Sequence, residues 1–466
     1  MNSNLNFISL GTKESFYLMG LGFIVLFISF FGGQAGVSAS VYIGLIIAAI
    51  LFWQANVETL AGIIVLYLVK NNFEFVVKGE EAFGLSVAGF PLSVELMACF
   101  FITIRVIAEI IIRPSTFEKT IGMKWVYFWI IAFIPSFYSL GMGFIEGNEN
   151  WTRGFRFLMI SGSVFYGIIF ARNLKIKRDT GYFFSMLVPL FSIFIFLWAT
   201  RQFFSHLMFF IIGFMAAYSV FLIYRKTIFS LLFAIFLLVC FAAVVPITSF
   251  TVLIIIIVSM SLTFLALRKN KFKTSKKNFF ITNLFPYGLM IFSALFTFTI
   301  STLTIIFDID PEILLIQTAF APGTSLIDKV IMDRLPFWAA ATTQIIEGPK
   351  LLVASGRPLL LEVHSYYAED FSWELGAHNY ILECIRNNGL IAGGIIILIY
   401  VKTMLLCSKI LLHSSDKSEI TILCSIIAVT TVGITTGDFP GDMTVGFLIW
   451  SLAGFFIGKN YLETKY

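Results

Sequence analysis

His378 and Asn379 stand side by side in "WELGAHNYILECIRNNGLIAGG", a polar stretch that runs straight into an apolar one. A histidine near neutral pH can take a proton from a hydroxyl. The asparagine beside it can hold a substrate or orient backbone. Upstream lie Arg334 in "DRLPFW" and Arg357 in "SGRPLL", with Trp338 and Trp373 in the same segment. Arg153, Arg156 and Arg201 come earlier in the chain. Arginine offers a rigid fork of donors that fits phosphate oxygens and stays charged. Such a set suits removal of a group from a diphosphate: the cations stabilise the charge that develops on the leaving phosphate, and the base activates the incoming hydroxyl. The plainer alternatives are that each arginine pairs with a carboxylate or a lipid headgroup, and that His378-Asn379 caps a helix.

Other polar residues carry weaker signals. His206 lies about one turn inside an apolar run and fits a packing role, His364 belongs to a loop, and His413 lies at the far end of a span. Asp308 and Asp310 form "DID", a triplet that holds a metal in many membrane glycosyltransferases but also arises by chance. Arg105 and Glu109 are four apart on one helix face, which predicts an intrahelical pair inside the membrane. Cys99, Cys240, Cys384, Cys407 and Cys424 are scattered and odd in number, so they form neither a disulfide framework nor a zinc site. No phosphate-binding glycine loop and no serine nucleophile elbow is present. No metal and no cofactor is expected.

The elements that must position these residues are membrane helices. The chain has 466 residues, of which 58% are hydrophobic and 13% charged, and its mean hydropathy is +0.92. A soluble core cannot hide so much apolar surface, and 54 phenylalanines suit acyl chains as neighbours. Apolar runs long enough to cross the hydrocarbon layer predict roughly fourteen spans, at 16–32, 40–54, 57–70, 92–112, 124–142, 157–172, 182–200, 204–223, 228–246, 251–267, 279–305, 389–411, 419–436 and 443–458. Strand-like alternation is absent, so the expected class is all-α, a polytopic helical bundle. "RPSTFEKTIGMK", "RNLKIKRD", "YRKT" and "RKNKFKTSKKN" follow the fourth, sixth, eighth and tenth spans. Basic loops stay in the cytoplasm, so both termini are placed there. The net charge of +5 reflects this bias and calls for no nucleic acid.

The same alternation places Arg153, Arg156, Arg201, Arg334, Arg357 and His378 at or beyond the outer face. It also divides the chain into a bundle over 1–305, a large outer loop over 306–388 and a C-terminal set of three helices over 389–466. A loop that long in a compact protein is usually functional. Within it, "DRLPFWAAATTQIIEGP" has helical spacing after Pro336 and predicts a helix on the membrane surface.

"DRLPFW", followed by His378-Asn379, nine residues and Gly389 entering a span, resembles the C-terminal region shared by bacterial O-antigen polymerases and O-antigen ligases. The match covers roughly 330–395, and Arg156 to Gly167 fits a further pattern of arginine, ten residues, glycine. One departure is Phe250, which stands where many relatives carry an arginine; Arg201 or a loop arginine is expected to supply that charge. The resemblance implies a GT-C-like, metal-independent glycosyltransferase of the bacterial inner membrane. Its substrate would be an undecaprenyl-diphosphate-linked oligosaccharide, and a flippase and a chain-length regulator would be its companions. His378, Arg334 and Arg357 would be catalytic, and Arg153, Arg156, Arg201, Asn379, Trp338 and Trp373 would bind substrate. A polymerase of repeat units is the favoured activity. A ligase acting on lipid A core and a lipid-linked oligosaccharide flippase are the alternatives.

Overall fold

The structure is a computed structural model that describes residues 49–50, 52–53, 85–87, 90–92, 94–145, 152–173, 207–225, scattered positions over 227–239, 250–269, 335–347, 360–365, 368–374, 379–436, 439–441 and 445–463. The predicted spans 16–32, 57–70, 182–200 and 279–305 lie outside the described residues, as do most of 40–54 and the end of 228–246.

The described chain is helical apart from two short hairpins. The helices are α1 (Val94–Ile112), α2 (Ser115–Glu118), α3 (Met123–Ile145), α4 (Thr152–Ser161), α5 (Ser163–Asn173), α6 (Leu207–Arg225), α7 (Phe250–Lys269), α8 (Leu335–Glu347), α9 (Tyr380–His413), α10 (Lys417–Thr436) and α11 (Val445–Glu463). The strands pair as β1 (Leu85–Val87) with β2 (Phe90–Leu92), and β3 (Leu360–Ser365) with β4 (Ala368–Glu374), both antiparallel. The second pair, within the segment 306–388, adds a short hairpin to the expected all-helical chain. Its β4 alternates charged or small residues with Phe371 and Trp373, the period-two pattern of a strand.

Among the described residues, four helices are long and apolar enough to cross a membrane: Met123–Met142, Gly154–Arg172, Tyr380–His413 and Val445–Leu462. Phe209–Tyr224, Val252–Arg268 and Glu419–Ile434 are shorter apolar helices. Apolar helices of this kind make the chain a membrane protein.

Small residues set the tightest helix pair. A methyl group on Gly167 would collide with the Ser451 carbonyl, and one on Gly454 with the Val164 carbonyl. Gly458 abuts Ala171 in the same way. Lipid supplies no hydrophobic drive between helices, so close backbone approach at glycine is how such pairs gain contact. Tyr166 meets Phe447 and Phe170 meets Phe455, so residue numbers rise together along the seam and α5 and α11 run parallel.

The other directions follow from single contacts. Trp129 Nε1 donates to the Leu158 carbonyl at 2.9 Å, and Phe137 meets Phe155 at 4.9 Å between ring centroids, so α3 opposes α4. Lys417 lies 5.1 Å over the Tyr224 ring and Ser425 Oγ reaches the Gly213 carbonyl at 3.4 Å, so α10 opposes α6. Lys459 at the end of α11 is 3.5 Å from Glu419 at the start of α10, so those two are opposed as well. The predicted sixth, eighth and fourteenth spans thus run one way and the fifth and thirteenth the other, as alternate crossing requires.

The Arg105–Glu109 pair forms as the spacing predicts, at 2.8 Å, and it belongs to a larger group. Arg172 of α5 also donates to Glu109, and to Thr116 Oγ1 at 3.1 Å. Arg105 Nε donates to the Trp53 carbonyl, and its guanidinium lies 5.1 Å from the Trp53 ring. One carboxylate therefore ties α1 and α5 together between two arginines.

Candidate functional site

Helix α9 is broken at Gly389, whose φ of 72° and ψ of 175° are not helical. Residues with a side chain avoid that region, so the reversal needs a glycine. The two arms of α9 lie back to back. Tyr380 and Tyr400 have ring centroids 5.4 Å apart, and a methyl group on Gly393 would run into the Cys384 carbonyl. A straight helix would hold the two tyrosines about 30 Å apart. Residues 380–388 therefore form a short arm that folds down beside the long arm 390–413.

Asn379 opens the short arm. Its Oδ1 accepts the backbone N–H groups of Ile381 and Leu382, each at 3.1 Å, which is the work of a helix N-cap. The sequence places this residue at the edge of a span. The structure instead buries it completely, about 15 Å down the long arm from Gly389 at helical rise. The reason is the sense of the turn at Gly389, which sends the preceding residues back into the bundle.

The short arm carries a buried polar group that no motif or span boundary marks. Glu383 is 0% exposed and Arg386 6%. Arg386 Nη2 donates to both carboxylate oxygens, at 3.0 and 2.9 Å. Asn387 Nδ2 donates to the Glu383 carbonyl at 2.9 Å and also to its carboxylate. Charges removed from water are costly unless paired and hydrogen-bonded, and in a membrane bundle they mark a site by default. A signal is nevertheless present in the sequence: Glu383, Arg386 and Asn387 lie three and four apart, on one helical face.

Helix α4 closes the other side. Phe157 stacks on Tyr380 at 6.1 Å, and Gly154 lies against the Asn387 carbonyl so closely that a methyl group would collide. Arg156, a predicted substrate residue, lies between them in sequence and is partly buried. Arg153 belongs to the first turn of the same helix. Gly167, its predicted partner in the arginine–glycine pattern of Arg156, is the point of contact with α11.

The remaining predicted residues fall as follows. Trp338 is buried at 4% exposure on α8, a helix with Pro336 in its first turn, where proline is tolerated. Its Ala341 and Thr342 are buried too, so the helix expected after Pro336 forms and packs by one face. Trp373 pairs with Leu361 in the β3–β4 register. His378, Arg334, Arg357 and Arg201 lie outside the described residues, as do Asp308 and Asp310. Among the described residues no group of three His, Cys, Asp or Glu has the form of a metal site.

Comparison with family models, with curated proteins and with solved structures finds no match. The chemistry open to the site therefore follows from its own geometry.

Proposed function

We propose that the chain is a glycosyltransferase that polymerises the repeat units of a surface polysaccharide. In this reading about fourteen spans form a GT-C-like bundle in the bacterial inner membrane, with both termini in the cytoplasm and the site on the outer side. The acceptor hydroxyl of a lipid-linked repeat attacks the anomeric carbon of the glycan on undecaprenyl diphosphate. The bond from that carbon to the diphosphate breaks, and the proton passes to His378. Arg334 and Arg357 stabilise the departing diphosphate, and Arg153, Arg156 and Arg201 hold it.

One observation supports the reading most. The nine residues between His378-Asn379 and Gly389 form a single helical arm, capped at one end by Asn379 and reversed at the other by Gly389. The interval that carries the resemblance thus corresponds to a structural unit that returns His378's neighbour to the bundle beside α4 and its arginines.

A deletion strain tests it. Loss of the polymerase leaves single repeat units on lipid A, and expression of the wild-type chain restores long glycan. No attached glycan at all would instead indicate a ligase. A second reading, transport of the lipid-linked oligosaccharide, draws on a specific feature: a broken helix with buried ionic groups is also how transporters build central sites. Transport predicts that the deletion strain accumulates lipid-linked repeats on the cytoplasmic leaflet.

A further inference from the structure

The short arm of α9 ends on two asparagines whose amides have more hydrogen-bonding capacity than the protein uses. Asn388 is 0% exposed, yet neither its Oδ1 nor its Nδ2 meets a partner among the described residues. Asn387 is 1% exposed; its Nδ2 serves Glu383, and its Oδ1 meets no partner among them. Buried polar atoms in folded proteins are nearly all paired, and these three sit on adjacent residues. Asn388 Oδ1 faces α4, 3.2 Å from where a Cβ on Gly154 would stand. The Asn388 amide therefore looks into the seam between the hairpin tip and α4.

The chemistry of the seam limits its occupant. The Asn388 amide presents one carbonyl oxygen that accepts and one nitrogen that donates, and the unpaired Asn387 carbonyl oxygen belongs to the adjacent residue. Glu383 and Arg386 neutralise each other alongside. A cation would gain nothing from Nδ2, and an anion would be repelled by the carbonyl oxygen. A group that both donates and accepts satisfies both ends of the Asn388 amide, and an O–H is such a group. The backbones are too close at Gly154 for a sugar ring, so a single hydroxyl enters.

We propose that the Asn387–Asn388 tip binds one O–H group of a neutral ligand. Its source is either a hydroxyl of the lipid-linked glycan or an internal water. The glycan source rests on the proposed polymerase activity; the O–H chemistry does not. A site built to hydrogen-bond a hydroxyl rejects analogues that lack it by large factors, so the glycan source would make Asn388 a determinant of which sugar is accepted.

The test compares Asn388→Thr with Asn388→Val in the full chain. The two side chains share a shape and differ in one O–H. Melting is followed in a detergent without a sugar headgroup, and glycan length is followed in the deletion strain. If water is the ligand, the Thr variant melts higher than the Val variant by on the order of 2 °C or more, with equal glycan lengths. If the glycan supplies the hydroxyl, the Thr variant makes longer chains than the Val variant. Should either variant fail to fold by gel filtration, Asn388→Ser against Asn388→Ala repeats the comparison. If the deletion leaves glycan unchanged, the polymerase reading fails and the melting comparison still decides the O–H site. An apolar variant that equals or exceeds its hydroxyl counterpart in both melting and glycan length overturns the proposal.

Discussion

Tyr380 and Tyr400 meet edge to face, with ring centroids 5.4 Å apart, although they belong to one stretch of α9. Trp450 of α11 extends the contact, 5.8 Å from Tyr400. The pairing exists because Gly389 reverses the chain. Gly389→Ala should cost of order 1–3 kcal/mol for the disallowed backbone. Cysteines at 380 and 400 joined by a short bifunctional reagent provide the measurement: the yield should be high with Gly389 and fall sharply with alanine. Equal yields would mean the hairpin does not depend on the glycine.

Gly154 and Gly394 form a contrasting pair. Gly154→Ala pushes a methyl group into the Asn387 carbonyl, which is backbone and cannot rotate away. The arm must lift from α4, and both melting temperature and glycan length should drop. Gly394 has nothing within 4 Å of its would-be Cβ. Gly394→Ala should therefore be neutral or stabilising by roughly 0.5–1 kcal/mol, the usual gain for alanine in a helix. Similar melting temperatures for the two variants would contradict the close seam.

The ionic group at Glu109 predicts a loss of a different kind. Glu109→Leu leaves Arg105 and Arg172 facing each other without their shared carboxylate. Breaking a buried pair costs about 3–5 kcal/mol. The low end is expected here because the Arg172 side chain is 33% exposed and solvent screens it. Thermal unfolding in detergent measures this, and restoring a carboxylate with Glu109→Asp should recover part of it.

Much of the bundle was legible from sequence because lipid imposes a simple rule: long apolar runs become spans. The runs at 92–112, 124–142, 251–267 and 419–436 each match a described helix within a few residues. The short arm was not legible in the same way. "YILECIRNN" is too polar and too short to pass as a span, so it reads as the end of a loop. Only the backbone at Gly389 reveals that it returns to the bundle. The same limit applies to Arg105 and Glu109, whose spacing predicted their pairing but gave no sign of Arg172 from a different helix.

His378 supplies the mechanistic test of the proposed function. His378→Ala should abolish polymer, and His378→Gln should not restore it, because an amide cannot take up a proton usefully at neutral pH. The wild-type rate should fall on the acid side. The sign follows from the role: a base works only when unprotonated, so activity is lost on the acid side. An active glutamine variant with an unchanged pH profile would leave His378 as an orienting residue and move the search for a base to Glu362, Glu369, Asp370 and Glu374.

The reversal at Gly389 also dictates an order of assembly during synthesis. An insertion machinery that threads helices into lipid selects runs of about 20 apolar residues, and 380–388 offers half that length with Glu383, Arg386, Asn387 and Asn388 inside it. The short arm cannot enter lipid alone. It has to wait for the long arm that follows it, and for α11 to bring Trp450 against Tyr400. The segment carrying the candidate chemistry is therefore made well before its seat exists. A chain released before Val445 would contain the whole of the folded-back arm and still lack Trp450, the α11 side chain that packs against Tyr400.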